Sequence, residues 1–260
     1  MIRVWLRLVL VFASFGAMAA GTTYPLEHFD ANPRDLPSLQ NGARVYFNYC
    51  AGCHSMKYQR YEKTADDLGI PHDVALENLV FTGQKIGGLM ETAMPPSSNA
   101  WFGAAPPDLT MVTRVRGDDW VYTYLKTFYL DEKRPFGVNN EVFPNVGMPN
   151  VLMELQGVQR KTCAQRPVLD ANGAEKRDPL QPGQKITAEK CGVLELEPNS
   201  GAMSAEEFDA TVKDLVNFMA YVAEPARLDR QRIGVYVLLF LVVLYVFTAL
   251  LGREFSKDHH

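Results

Sequence analysis

The 260-residue sequence predicts a mostly α-helical domain with long loops, followed by one C-terminal transmembrane helix. Apolar residues recur at helical spacing in residues 39–50 and again in residues 208–222. Between these two stretches lie segments rich in glycine and proline, which are typical of loops. Residues 233–251 contain no charge. A composition of 47% hydrophobic and 22% charged residues excludes disorder as the main state of the chain.

Residues 1–20 have the pattern of a secretory signal peptide. Arg3 and Arg7 precede an apolar run, and the run ends in the small residues of the segment 17–20. We expect cleavage near Ala19 or Ala20, which would export the segment that follows. An uncleaved membrane anchor is the alternative, although the apolar run is shorter than the ~20 residues that a spanning helix needs.

The motif Cys50-Ala51-Gly52-Cys53-His54 is the attachment sequence for a c-type haem. One apolar stripe precedes it at helical spacing, formed by Leu39, Ala43, Tyr46 and Cys50. If the helix continues through the motif, Cys50, Cys53 and His54 share one face. The two sulfurs can then hold the vinyl groups of one porphyrin while the imidazole reaches the iron. A thiol redox motif or half of a zinc site is less favoured, because His54 follows directly and no second Cys-x-x-Cys occurs.

Two further helices are predicted between the motif and residue 130. Asp73 and Asp118 are their expected N-caps, and Gly83 is expected to end the first. The apolar residues that should face the core from these helices are Leu76, Leu79, Val80, Val121, Tyr124, Leu125 and Phe128. The segment 83–108 has the composition of a long loop, and wrapping a haem edge would explain its length.

Two methionines stand before proline in loops, Met94 and Met148, and either could supply a thioether ligand. The segment 136–150, which contains Met148, has loop composition and precedes a short helical pattern. Met148 is the stronger candidate because it lies far downstream of His54, where the chain can return to the opposite haem face. Core packing is the expected role of the other methionine.

The segment 160–200 is polar and rich in glycine and proline, and we interpret it as an insertion outside the core. It contains the two cysteines that the haem motif leaves over, Cys163 and Cys191. An oxidising compartment would let them form a disulfide, and two free thiols are the alternative.

A long amphipathic helix is predicted from a capping box at Ser204 and Glu207 to Pro225. Its apolar face needs a partner, for which the helix before the haem motif is the candidate. Residues 227–232 would then connect it to the span at residues 233–251, which reaches ~28 Å at ~1.5 Å per residue. Burial of this run in a soluble core is the alternative.

The flanking charges do not settle the orientation of the span. Three arginines precede it, and only Arg253 and Lys257 follow it. The predicted signal peptide therefore decides the orientation, with residues 21–226 outside the cytoplasm and residues 252–260 inside.

Five segments together resemble the cytochrome c1 family, the haem-bearing subunits of ubiquinol:cytochrome c reductase, in a bacterial form. They are Val45-Tyr46 with Cys50-Ala51-Gly52-Cys53-His54-Ser55-Met56, Pro106-Pro107-Asp108-Leu109 followed by Arg114, Phe143-Pro144, Gly147-Met148-Pro149 and Ala223-Glu224-Pro225. The resemblance implies a cytochrome c-like haem domain with His54 and Met148 as axial ligands of one covalent haem c. It also implies that Arg114 pairs with a haem propionate, for which a plain surface arginine is the alternative. The insertion at 160–200 is not general in the family.

The resemblance further implies single-electron transfer from the Rieske iron–sulfur protein to a c-type cytochrome, in complex III beside cytochrome b. The chain would lie in the bacterial inner membrane with its haem domain in the periplasm, and we expect neither catalytic residues of its own nor a nucleic-acid partner. A free-standing membrane-anchored cytochrome that feeds a terminal oxidase or reductase is the alternative, and a haem-based sensor is a third. Residues 21–226 carry 27 acidic and 19 basic side chains, a net charge of −8. This charge would steer a basic cytochrome partner, or it would serve only to keep the domain soluble.

Overall fold

The computed structural model describes residues 24–170, 173–177, 181 and 183–257, so the predicted signal peptide lies outside the described residues. The described chain is mostly helical with three small antiparallel sheets, which confirms the predicted fold class. The longer helices are α1 (Leu36–Tyr49), α2 (Tyr61–Leu68), α3 (His72–Asn78), α6 (Asp118–Lys126), α8 (Ala205–Ala223) and α9 (Arg227–Phe255). The short helices are α4 (Asn99–Phe102), α5 (Val112–Arg116) and α7 (Met153–Gln156), with a 3₁₀ turn at Pro96–Ser98. The paired strands are β1 (Met56–Arg60) with β2 (Leu89–Met90), β3 (Phe128–Leu130) with β4 (Val138–Asn140), and β5 (Gln159–Pro167) with β6 (Thr187–Leu196).

The core is built on the packing of α1 against α8, which confirms the predicted partner of the amphipathic helix. The predicted stripe of α1 is buried throughout, with Leu39, Ala43, Tyr46 and Cys50 each at most 5% exposed. Gly42 lets the two backbones approach closely, since a Cβ at this position would lie 2.0 Å from the carbonyl oxygen of Asp214. The position of α1 therefore fixes where the haem motif leaves the core.

The predicted capping box of α8 is present. The Ser204 hydroxyl accepts a hydrogen bond from the Glu207 backbone N–H, and the Glu207 carboxylate accepts one from the Ser204 backbone. The two caps predicted for the middle helices are wrong. Asp73 lies in the first turn of α3 after Pro71, and Asp118 is the first residue of α6. An aspartate inside the first turn still interacts favourably with the positive end of the helix dipole.

The ends of two predicted helices and the buried face of one of them differ from the prediction. Helix α3 ends at Asn78, before Gly83, which has a left-handed backbone in the following turn. Leu76 was expected to face the core but is 41% exposed, whereas Leu79 is buried. Phe128 is buried as expected but begins β3, because α6 stops at Lys126.

The segment interpreted as an insertion is mainly a β-hairpin formed by β5 and β6. Its register places Cys163 opposite Cys191, and the structure joins the two by a disulfide. The sequence shows no clear alternation of apolar and polar residues here, because both faces of the hairpin are largely polar. The hairpin lies outside the core, as expected of an insertion.

Helix α9 runs without a break from Arg227 to Phe255, so the predicted connecting residues 227–232 are helical as well. It has 29 residues and a length of ~43 Å at ~1.5 Å per residue. None of its side chains is buried, although its central run is strongly apolar. In the part of the chain that the structure describes, this helix alone has the length and composition to cross a membrane.

Candidate haem site

The haem motif forms a turn that continues directly from α1. The helix ends at Tyr49, so the motif is not helical as the face-sharing argument assumed. The carbonyl oxygen of Cys50 nevertheless accepts hydrogen bonds from the backbone N–H groups of Cys53 and His54, at 3.1 and 2.9 Å. One tight turn therefore holds both thiols and the imidazole together, which the spacing alone had suggested.

The imidazole of His54 is oriented by a distant carbonyl. Its Nδ1 lies 2.7 Å from the carbonyl oxygen of Pro107 and donates to it, because a carbonyl can only accept. This bond fixes the tautomer and leaves the lone pair of Nε2 for a metal. Burial lowers the pKa of His54, partly offset by the hydrogen bond to Pro107, so the imidazole stays in its neutral, ligating form.

Further hydrogen bonds fasten the turn to the surrounding chain, among them one from the Thr92 hydroxyl to the Gly52 carbonyl oxygen at 2.8 Å. The Tyr46 hydroxyl donates to the His54 carbonyl oxygen at 2.8 Å. The backbone N–H of Leu109 donates to the Ser55 carbonyl oxygen at 2.8 Å, and that of Thr92 donates to the Ser55 hydroxyl at 3.0 Å. The long loop 83–108 and the Pro-Pro-Asp-Leu segment therefore both contact the motif, as a role at a haem edge requires.

The two motif cysteines differ in burial. Cys50 is buried and Cys53 is half-buried, and neither forms a disulfide with another described cysteine. Burial, together with the neighbouring Cys53, raises the pKa of the Cys50 thiol to about 12, so it remains a thiol at neutral pH. Two thiols beside a neutral imidazole form a donor set that fits a covalently held haem.

Met148 lies in a half-buried loop between β4 and α7. Its sulfur is 3.3 Å from the Tyr124 hydroxyl, and its side chain packs against a small cluster of Phe128, Val138 and Val146. This cluster is separate from the core that contains Cys50. Met148 therefore lies in a different part of the fold from the motif.

Met94, the other candidate ligand, lies near the motif turn, which it contacts through Thr92. Its backbone N–H donates to the Thr92 hydroxyl at 3.1 Å, and Thr92 in turn contacts Ser55. Met148 belongs to the separate cluster, so the two candidates would reach a haem from different parts of the fold.

Gly147 allows the Met148 loop to approach α4. A Cβ at Gly147 would lie only 2.5 Å from the carbonyl oxygen of Phe102. The loop that carries Met148 is therefore in close contact with the loop that lies beside the motif.

Arg114 has a protein partner that the sequence did not reveal. Its Nη1 lies 3.1 Å from a carboxylate oxygen of Glu224, just after α8, and its side chain is about half exposed. One edge of the guanidinium is thus engaged, and the other remains for a second anion.

Sequence reasoning missed the aromatic residues beside Met148. Trp120 stacks on Tyr124 with ring centroids 4.9 Å apart, and the guanidinium of Arg116 lies over Trp120 at 5.1 Å. The only sequence signal was the position of Tyr124 on the apolar side of a predicted helix, which indicated core packing and no more.

A helix pair that ends in a Cys-x-x-Cys-His turn, with a fixed neutral imidazole and a methionine loop, defines a c-type cytochrome domain. The C-terminal part of the chain, residues 195–259, matches the model of the Cytochrome C1 family. Cytochrome c1 of Allochromatium vinosum is 45% identical over 252 residues, which cover 96% of each chain. The Ammonia monooxygenase gamma subunit of Nitrosomonas europaea is 37% identical over 98% of each chain. A protein named Cytochrome b/c1 from Bradyrhizobium diazoefficiens is 26% identical over 87% of this chain and 34% of its own length.

The chain belongs to the cytochrome c1 family. It carries one covalently bound haem c and functions as an electron-transfer subunit, which confirms the predicted cofactor and family.

Proposed function

We propose that the chain passes single electrons from the Rieske iron–sulfur protein to a c-type cytochrome, as the haem-bearing subunit of complex III beside cytochrome b. Similarity to a cytochrome c1 over 96% of both chains carries this proposal, because it includes the motif turn, the methionine loop and the C-terminal helix. The relative named Cytochrome b/c1 supports cytochrome b as a partner. Its name joins the two cytochromes, and this chain matches about a third of its length.

Within this function, Cys50 and Cys53 would hold the haem by two thioether bonds, with His54 Nε2 and Met148 Sδ as axial ligands. The haem supplies the one-electron chemistry when bound. The chain orients the imidazole through Pro107, keeps the site partly dry and selects the second ligand. A thioether in place of a second imidazole raises the reduction potential.

Arg114 stays our proposal for a partner of a haem propionate. Its Nη1 pairs with Glu224, and the fork geometry of a guanidinium leaves Nε and Nη2 able to bind a second carboxylate. Arg114→Lys would keep the charge but remove the fork, so we expect it to change the reduction potential. A potential equal to that of the unaltered protein would contradict the pairing.

We further propose that α9 crosses the inner membrane once, with residues 21–226 in the periplasm and residues 252–260 in the cytoplasm. Supporting observations are the exposed apolar surface of α9 and the signal-like pattern of residues 1–20. A protease added to intact spheroplasts should digest the haem domain. Protection of the domain until the membrane is lysed would reverse the orientation.

The proposal that the motif cysteines hold the haem can be tested by substitution. Cys50→Ala and Cys53→Ala should each leave haem bound by one thioether or lost, and the double variant should release all haem in denaturant. Replacement of Cys163 and Cys191 by serine is the matched control and should leave attachment unchanged. Haem that resists extraction from the Cys50/Cys53 double variant would contradict the assignment.

Purification from native membranes tests the complex. An affinity-tagged full-length chain should bring down a cytochrome b and a Rieske protein, with the untagged chain as the control. A preparation that contains haem c but neither partner would contradict the complex III assignment and favour a free-standing membrane-anchored cytochrome.

A further inference from the structure

The hydroxyl of Tyr124 contacts the sulfur of Met148. The oxygen lies 3.3 Å from Sδ, within hydrogen-bond distance of a sulfur acceptor. A phenol O–H donates and a thioether can only accept, so the direction of this bond is fixed.

The ring of Tyr124 is held by contacts that do not involve its hydroxyl. Trp120 stacks on it at 4.9 Å with an interplanar angle of 11°. Phe128 meets its edge at 5.1 Å with an angle of 68°. Aromatic neighbours on two sides define the ring plane, and the hydroxyl position follows from that plane.

The Met148 side of the contact is held as well. The side chain packs against Phe128, Val138 and Val146, and the preceding Gly147 lies against the Phe102 carbonyl oxygen. Packing therefore holds both partners of the hydrogen bond in place, which a metal ligand and the residue that hydrogen-bonds to it both need.

We propose that Tyr124 is a positioning residue that orients the Met148 thioether and reduces its electron donation. The inference rests on the proposed role of Met148 as axial ligand. A thioether sulfur has two lone pairs, of which one would serve the iron and the other accepts the hydrogen bond from Tyr124. A hydrogen bond to the sulfur weakens its donation to the metal and so disfavours the oxidised, more positive state. Tyr124 thereby raises the reduction potential.

Tyr124→Phe tests this, since it removes the hydroxyl and keeps the stacked ring. In the full-length protein purified from membranes, we expect a lower reduction potential and a shift of the far-red methionine–iron absorption band of the oxidised form. Tyr122→Phe is the matched control, because its hydroxyl lies on the same helix and bonds to Asp209, not to Met148. It should leave the potential and the band unchanged.

Met148→Leu separates failure of this inference from failure of the ligand assignment. Loss of the far-red band in Met148→Leu, with an unchanged potential in Tyr124→Phe, would overturn the Tyr124 proposal and leave the ligand in place. Retention of the band in Met148→Leu would overturn the ligand assignment itself. In the Met148→Leu background, Tyr124→Phe should cause no further shift of the potential. An additional shift would show that Tyr124 acts by another route and would also overturn the proposal.

Discussion

Gly42 sits where the helix that carries the haem motif meets the C-terminal helix of the domain, and Gly42→Ala tests that contact. The new Cβ would lie 2.0 Å from the carbonyl oxygen of Asp214 and 2.7 Å from the Cβ of Phe218. Ordinary contacts between non-bonded heavy atoms are about 3.5 to 4.0 Å. Since the first obstacle is backbone, α1 and α8 would have to separate by about 1 Å or more.

Two effects of the substitution oppose each other. Alanine in a helix interior is more favourable than glycine by about 1 kcal/mol. Overpacking of a dense core costs about 1 to 3 kcal/mol, and occasionally more. A clash with a main-chain oxygen is not relieved by a rotamer change, so the cost should lie at or above the upper end. We expect a net destabilisation of about 2 kcal/mol, which for a domain of this size lowers Tm by about 4 to 8 °C.

The assay is thermal unfolding of the detergent-solubilised protein, followed by circular dichroism. Gly52→Ala is the control, since a Cβ at Gly52 would have no atom of a non-neighbouring described residue within 4 Å. It should change the free energy of unfolding by less than about 0.5 kcal/mol. A Gly42→Ala protein as stable as the unaltered chain, or more stable, would refute the close packing of α1 on α8.

Four further predictions follow from the site and its surroundings. Gly147→Ala should displace the methionine loop from Phe102, weaken the far-red methionine–iron band and cost about 1 to 3 kcal/mol; an unchanged band would contradict the close approach. Burial alone would raise the pKa of Asp209, but hydrogen bonds from Lys126 and Lys213 lower it, so Asp209 stabilises the fold above its unfolded pKa and this contribution is lost below about pH 4. Asp209→Asn should therefore remove about 1 kcal/mol of stability at pH 7 and flatten the acid unfolding curve, whereas an unchanged curve would refute the ion pair. Replacing Cys163 and Cys191 together by serine should cost about 3 to 4 kcal/mol, because their disulfide closes a loop in the unfolded chain, and equal stability under oxidising and reducing conditions would contradict the disulfide. Electron transfer to a basic c-type cytochrome should slow steeply as salt rises, and a salt-independent rate would show that the acidic surface serves solubility alone.

Features that depend on local spacing were predictable from the sequence. The buried stripe of α1 and the capping box at Ser204 are set by residues within one or two turns of each other. The haem motif is likewise local. Its spacing still indicates haem attachment, although the chain there forms a turn and not a helix. The face of α3 was not predictable, since Leu76 fits the apolar period but the neighbouring elements cover Leu79 instead.

Contacts between distant residues account for what the sequence did not show. The hydrogen bond from His54 to Pro107 spans 53 positions, and the strand register that places Cys163 opposite Cys191 is set by the whole hairpin. Tyr124 is a similar case, because its periodicity indicates burial, while only the three-dimensional structure brings its hydroxyl to Met148. The partner of Arg114 is also non-local, since Glu224 follows α8 at the far end of the domain.

Time-resolved absorption of the haem in native membranes tests the central claim most directly. After quinol is added, the haem attached at Cys50 and Cys53 should become reduced, and a soluble c-type cytochrome added next should reoxidise it. Met148→Leu should slow or abolish the reduction by lowering the potential, whereas the Cys163/Cys191 serine variant should behave like the unaltered protein. A haem that quinol does not reduce, or that stays reduced when the c-type cytochrome is present, would contradict the account.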